Sequence, residues 1–279
     1  MMPDTPIPVK HLFKPLDDLL INLLESLSPE EWNKHTVAKA WTVKDVASHL
    51  LDGNIRTLSI QRDNFFGEKS PVSNSYMDMV GWLNGLNADW IKASKRISPD
   101  VLILLHKATR DLVTTYYQSL DLNAPAIFPV DWAGETESLN WMHLAREYTE
   151  KWHHQQQIRE ATGRDGIMTR EFFYPFIDSF FRALPHTFRK VGAPLGTIIK
   201  INVTTQLGGN WYLQKQASNW QLQKDEPTGV PAATVSISPQ TSWKLFSKSI
   251  RPEGVRGSVE LTGDTRLAEH VLQMVSVMA

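Results

Sequence analysis

The chain has 279 residues, of which 42% are hydrophobic and 21% charged, a balance that fits a globular protein of one or two domains. Its 29 basic and 30 acidic residues give a formal net charge of -1 without a basic run, which argues against general nucleic-acid binding and against docking on an anionic membrane. Cysteine is absent, which excludes disulfides, thiolate metal ligands and a cysteine nucleophile.

The N-terminal part of the chain predicts an arm followed by a helix. The first nine residues contain three prolines and lack the apolar segment of a signal peptide. Nowhere does the chain approach the roughly 18 apolar residues of a membrane span, so we expect a cytoplasmic location. Apolar residues recur at helical spacing over residues 12–27, which predicts an amphipathic first helix.

A second helix is predicted over residues 42–64, because Thr42 and Asp45 form a capping-box pair ahead of a helical apolar pattern. His49 lies at the border of the apolar arc of this helix. From there its imidazole can face a bundle interior as a ligand, or serve as a hydrogen-bonded packing residue. Asp52, one turn further on, could orient the imidazole or be solvated.

Three further segments complete the predicted bundle. Helices are predicted over residues 77–97 and 100–120, followed by an apolar, turn-rich linker over residues 121–137. The linker could cover a cleft or simply pack as a long connection. The polar stretch from Asn140 to Gly163 then predicts a long helix that closes an antiparallel bundle.

This last helix carries acids and histidines on one face. At 100° per residue, an arc of about 80° holds His143, Glu147, Glu150, His154, Ile158 and Ala161. Glu150 and His154 lie one turn apart, roughly 6 Å along the axis, so both can reach one divalent ion. The opposite side of the helix carries an apolar stripe that is predicted to face the core. It consists of Trp141, Leu144, Tyr148 and Trp152. An isolated pair of this kind is also common on solvated surfaces, so a third ligand is needed to indicate a metal site.

His49 is the candidate for that third ligand, from a different helix of the bundle. His153 competes with His154, but it projects about 100° away on the helix, so we favour His154. Two imidazoles and one carboxylate suit Zn²⁺, with Ni²⁺, Fe²⁺ or Mn²⁺ as alternatives. Three protein ligands leave one position for water or substrate, which is the arrangement of catalytic zinc sites.

After Gly163 the sequence predicts an aromatic helix over residues 170–189. Strand patterns dominate the chain beyond this helix. Strands are predicted in GTIIKINVTT, in a hairpin that turns at residues 217–219, in ATVSIS and in GSVELTG. TSWKLFSKSI predicts a helix, and Asp264 caps a C-terminal one. We therefore predict a helical domain over residues 1–166 and an α+β domain over residues 167–279.

Four segments resemble a known family. WTVKDVASHLLDG and EYTEKWHHQQQIREATGR resemble the DinB-type metal-binding four-helix bundle of mycothiol-dependent maleylpyruvate isomerases. WKLFSK and LTGDTRLAEHVLQMVSVM resemble the sterol-carrier-protein-like second domain of those proteins. The resemblance therefore implies a DinB-like four-helix bundle followed by a small α+β, sterol-carrier-protein-like domain.

The resemblance also implies a site. In that family a histidine of the HL segment and an E-x-x-x-H pair on the fourth bundle helix bind zinc, which corresponds to His49, Glu150 and His154. The family uses a low-molecular-weight thiol, which for this chain would be mycothiol, bacillithiol or glutathione. A second-domain arginine of the family helps to bind an acidic substrate. The candidates for this role are Arg251, Arg256 and Arg266, and we predict that Arg256 is the catalytic one.

Together these features predict a metal- and thiol-dependent enzyme, a cis-trans isomerase or a thiol S-transferase, acting on a small electrophile. A bound divalent cation would stabilise a thiolate at neutral pH. Glu147 is predicted as a catalytic acid or base, or as half of a surface ion pair with Lys151. Two other functions are open, namely an apolar-ligand binder with a structural metal and a hydrolase in which the ion activates water. We expect a monomer or homodimer without a nucleic-acid or membrane partner.

Overall fold

The computed structural model describes residues 5–68 and 76–277, which group into two compact units. The helical unit consists of Pro8–Ile127 and Glu150–Ile167. The α+β unit consists of Phe128–Thr149 and the chain from Met168 onward, together with the short arm before Pro8. The segment 128–149 thus groups with the later part of the chain, and the domain boundary at residue 166 stays a prediction.

The helices of the first unit confirm the predicted ones to within a few residues. They are α1 (Phe13–Glu25), α2 (Val43–Arg56), α3 (Tyr76–Ser94), α4 (Pro99–Ser119) and the C-terminal half of α5 (Asn140–Thr162). A π-helical turn, Thr57–Arg62, continues α2. Among the residues that the structure describes, no helix has the length and hydropathy needed to cross a membrane.

A capping box determines where α2, the helix that carries His49, begins. The backbone N–H of Thr42 donates to the Asp45 carboxylate at 3.0 Å, and the backbone N–H of Asp45 donates to Thr42 Oγ1 at 3.3 Å. This reciprocal pair confirms the capping box and satisfies two N–H groups that the first turn leaves without helical partners. Because α2 starts at a defined residue, the rotational position of His49 two turns later is also defined.

One apolar core joins α1, α2, α4 and α5. It contains Leu20, Leu23, Leu24, Trp32, Val43, Val46, Ala47, Leu50, Leu51, Leu102 and Ile158. Full burial of each leucine stabilises the fold by roughly 1.5–3 kcal/mol. His49 is half-buried between the α2 residues that face this core, which is the border position that the sequence predicts.

A polar cluster crosses the interior of the same unit. The Lys151 ammonium on α5 donates to Asp17 Oδ1 on α1 at 2.9 Å and to Asn54 Oδ1 on α2 at 2.7 Å. Asn54 Nδ2 in turn donates to Thr109 Oγ1 on α4 at 3.0 Å. Lys151 is only 9% exposed, so the alternative of a surface pair between Glu147 and Lys151 is wrong. The local i,i+4 spacing of that pair gave no information about a partner on α1.

The second unit is built on a mixed five-stranded sheet. Its strands are β1 (Ile198–Val203), β2 (Gly209–Lys215), β3 (Trp220–Gln223), β4 (Ala233–Ile237) and β5 (Val259–Gly263), in the order β3-β2-β1-β4-β5. β1 and β4 are parallel, whereas the other neighbours are antiparallel. The pairing of Lys215 with Trp220 places the β2-β3 turn where the sequence predicts it. The α+β fold class is therefore confirmed.

Helices and aromatic rings complete this unit. The helices are α6 (Arg170–Phe181), α7 (Leu184–Thr187), α8 (Pro239–Phe246) and α9 (Thr265–Val271). The single aromatic helix predicted over residues 170–189 is thus two helices, and Pro185 lies in the first turn of the second. The ring of Phe181 lies 4.7 Å from that of Trp211 and 5.5 Å from that of Phe246, as part of a packed core.

Candidate metal centre

His49, Glu150 and His154 come together inside the helical unit. Each offers one ligand atom, and these atoms all lie within 4.8 Å of one another. His154 Nε2 is 3.4 Å from Glu150 Oε2, and the ring centroids of His49 and His154 are 4.6 Å apart. Two atoms that each bind a tetrahedral zinc ion at about 2.1 Å are themselves about 3.4 Å apart. The spacing therefore suits one small cation.

The surroundings favour the protonation states that metal ligands need. Burial, followed by the charge of His154, lowers the pKa of His49 well below its ordinary value. Burial alone would raise the pKa of Glu150, but the neighbouring histidines, with His154 first, outweigh it and lower that pKa. Neutral imidazole and ionised carboxylate are the forms that bind a cation.

The hydrogen bonds around the histidines also fit a cation. Gln157 Oε1 lies 2.9 Å from His154 Nδ1 and can only accept, so Nδ1 carries a proton. In the neutral ring Nε2 then presents a lone pair to the Glu150 carboxylate, which leaves two acceptors facing each other. His49 Nδ1 is buried without a hydrogen-bond partner among the described residues. A divalent cation would satisfy these acceptors.

Sequence reasoning missed two neighbours of the site. Gln157 is 4% exposed and orients His154, and its i+3 spacing from that histidine was a usable signal. The Trp41 ring lies 4.9 Å from that of His49 and 6.0 Å from that of His154, but a tryptophan ahead of a helix cap gave no signal for this. His153 is buried, with its ring centroid 3.8 Å from that of His154, and lies outside the three-ligand group.

Replacing Gln157 by leucine should lower the affinity of the site for a divalent metal by about 10–100-fold, the usual cost of losing a group that orients a metal-bound histidine. Without the acceptor on Nδ1, His154 can adopt other tautomers and ring orientations. Competition with a chromophoric chelator measures the affinity. The matched control is Gln156→Leu, because Oε1 of this neighbouring buried glutamine has no hydrogen bond with a described residue. Equal affinities in the two variants would refute the orienting role.

The two predicted catalytic residues lie in the α+β unit. Glu147 accepts a hydrogen bond from Arg146 Nη2 at 2.9 Å, and its carboxylate is 3.8 Å from His143 Nδ1. Arg256 is 67% exposed and pairs with Glu269 at 3.4 Å. The other candidate arginines are also exposed, and they are Arg251 and Arg266. Catalytic roles for Glu147 and Arg256 stay predictions.

The observations so far define a class of protein, in which a helical part with a candidate three-ligand metal centre is combined with an α+β part on a mixed sheet. The family model described as the mycothiol maleylpyruvate isomerase N-terminal domain matches residues 13–159, more than half of the chain. The chain belongs to this family. This confirms the family resemblance of the sequence segments.

Solved structures show the same fold over nearly the whole chain. The mycothiol-dependent maleylpyruvate isomerase and a mutant of it each match at 13% identity with a TM-score of 0.55, over 93% of this chain and 94% of theirs. The UbiJ-SCP2 ubiquinone synthesis protein matches 38% of this chain and 97% of its own at 16% identity, but its TM-score of 0.27 supports no inference. No curated protein matches this sequence.

Proposed function

We propose that this protein is an enzyme that uses a divalent metal ion and a low-molecular-weight thiol to act on a small electrophile. The observation that carries the proposal is the convergence of His49, Glu150 and His154, whose ligand atoms lie within 4.8 Å of one another. Membership of the maleylpyruvate isomerase family supports the choice of a thiol-dependent reaction. The chain contains no cysteine, which is compatible with a sulfur supplied by a small molecule.

The residues of the site suit this chemistry. A divalent cation, with Zn²⁺ as the first choice and Ni²⁺ as an alternative, would act as a Lewis acid that lowers the pKa of an entering thiol. Gln157 holds His154 in one tautomer, and the low pKa of Glu150 keeps its carboxylate ionised. His49 and Glu150 are only half-buried, which leaves the site accessible to a small molecule.

For an isomerase, the substrate would be maleylpyruvate or a related cis-configured maleyl compound. The thiolate forms a C–S bond with one carbon of the double bond, and the π electrons move to the neighbouring part of the conjugated acid. Rotation about the resulting C–C single bond is followed by cleavage of the C–S bond, which restores the double bond in trans form and releases the thiolate. For an S-transferase, the sulfur instead displaces a leaving group and stays attached. Mycothiol, bacillithiol and glutathione are the candidate thiols.

No structural observation favours either of the alternative functions. The phenylalanines of α6, which could line an apolar ligand cavity, are instead buried in packed aromatic contacts, and they are Phe173, Phe176, Phe180 and Phe181. Glu147, which a hydrolase could use as a base, accepts a hydrogen bond from Arg146.

The test is turnover by metal-loaded protein with each thiol and a panel of maleyl and haloalkyl electrophiles, followed by NMR. We expect product with at least one pair, and we expect it to require both the metal and the thiol. Glu150→Ala should remove the activity, whereas Glu137→Ala, which alters an exposed glutamate, should not. Turnover that proceeds equally well without any thiol, or no turnover with any pair, would contradict the proposal.

A further inference from the structure

Arg56 lies on the same face of α2 as His49. The two residues are seven positions apart, so their side chains leave the helix within about 20° of each other. Helical side chains lean toward the helix N-terminus, and Arg56 Nε lies 3.0 Å from Asp52 Oδ2, one turn back toward His49. The guanidinium is therefore held over the turn that separates Arg56 from the candidate metal ligands.

Two polar contacts fix this guanidinium without using all its donors. Asp52, with a side chain only 11% exposed, forms an ion pair in which Oδ2 lies 3.0 Å from Nε, although the Nε–H makes no hydrogen bond with a described residue. Asn87 Oδ1 on α3 accepts a hydrogen bond of 3.3 Å from Nη2. Nη1 has no hydrogen-bond partner among the residues that the structure describes. The Arg56 side chain is 32% exposed, so a solute can reach it. An arginine held in this way offers its remaining N–H groups to a carboxylate.

The net charge of the candidate metal centre explains why a second cation at the position of Arg56 would matter. With neutral imidazoles and an ionised Glu150, a bound divalent cation would leave a net charge of +1, which one thiolate would cancel. An additional carboxylate on the ligand would then need another cation close by. Arg56, on the same face of α2 as His49 and partly exposed, can supply that cation. The nearby ammonium of Lys151 is buried and already bound to Asp17.

We propose that Arg56 binds a carboxylate carried by the thiol or by the electrophile, and so selects acidic ligands for the site. The inference rests on the proposed function, because it assumes that the ligand enters at the metal. It assigns a specificity role to a residue of the helical unit. The role differs from that of a purely structural link between α2 and α3, which would not discriminate between ligands.

The test uses Co²⁺-loaded protein, in which a bound thiolate produces a charge-transfer band in the near ultraviolet. The probes are 3-mercaptopropionate and 1-propanethiol, which have similar chain lengths and differ in the carboxylate. We expect the native protein to bind 3-mercaptopropionate about tenfold more tightly, as one charge-assisted contact implies. Arg56→Gln should remove this preference while leaving the affinity for 1-propanethiol unchanged, and Arg56→Lys should retain part of it.

The control is Arg62→Gln, which removes the same charge from an exposed pair with Asp63 and should keep the full preference. Cobalt stoichiometry and circular dichroism show whether each variant is folded and loaded. Maleate is then added to protein already bound to 1-propanethiol. An Arg56-dependent shift of the cobalt spectrum with maleate assigns the carboxylate to the electrophile, and a preference seen only with 3-mercaptopropionate assigns it to the thiol.

The two possible failures can be distinguished. If neither thiol produces the charge-transfer band, the proposed thiol chemistry is wrong and the role of Arg56 is refuted with it. If both thiols bind equally well to the native protein and maleate produces no Arg56-dependent shift, or if Arg56→Gln keeps both the thiol preference and the maleate shift of the native protein, only the role of Arg56 is refuted.

Discussion

Replacing His49 by alanine should abolish stoichiometric metal binding while the helical unit stays folded. The two remaining donors, Glu150 and His154, both lie on α5, and two ligands from one helix cannot enclose an ion. We expect the affinity to fall by at least about 100-fold, since each ligand supplies a large share of the total binding free energy. Little stability should be lost, because His49 is half-buried at the border of the core.

Metal analysis by mass spectrometry after dialysis, with thermal melting followed by circular dichroism, measures both quantities. His35→Ala is the matched control, since it removes an exposed histidine from the same unit and should leave the metal content unchanged. A variant without His49 that still holds one tightly bound ion would show that the three residues do not form the site.

Replacing Lys151 by methionine should reduce the free energy of unfolding by about 3–5 kcal/mol, the typical cost of removing one partner of a buried ion pair. The loss arises because Asp17, which is 4% exposed, would keep its carboxylate in the interior without the ammonium. Asn54 Oδ1 would also lose the donor that lies 2.7 Å away. Urea unfolding at neutral pH, followed by circular dichroism, measures the effect.

The double variant Asp17→Leu with Lys151→Met should recover most of this loss, because it removes both buried charges and replaces them with apolar side chains. The control is Lys14→Met, which removes the ammonium from an exposed pair with Asp18 and should change the stability by less than about 1 kcal/mol. If Lys151→Met and Lys14→Met have equal effects, the buried cluster does not stabilise the bundle.

The helices and their ends could be predicted because they depend on neighbouring residues. The capping box of Thr42 and Asp45 satisfies backbone groups within three positions, and it starts α2 where the sequence indicates. The pairing of Glu150 with His154 follows from the helical repeat alone. The choice of His154 over His153 followed from the same repeat, and the group within reach of one ion contains His154.

A local rule also led to an error. The i,i+4 spacing of Glu147 and Lys151 suggested a surface pair, whereas Lys151 binds Asp17, a residue 134 positions earlier.

The sequence by itself determined most of the helices and strands, the position of Glu150 one turn before His154, and the membership of the family. Only the tertiary structure decided that His49 reaches those two ligands, that Gln157 directs its oxygen to His154, and that Asn87 on α3 accepts a hydrogen bond from Arg56. The physical reason is the range of the forces that act in each case. Backbone hydrogen bonds and caps act over a few residues, whereas contacts between helices depend on how whole apolar faces pack and rotate against each other.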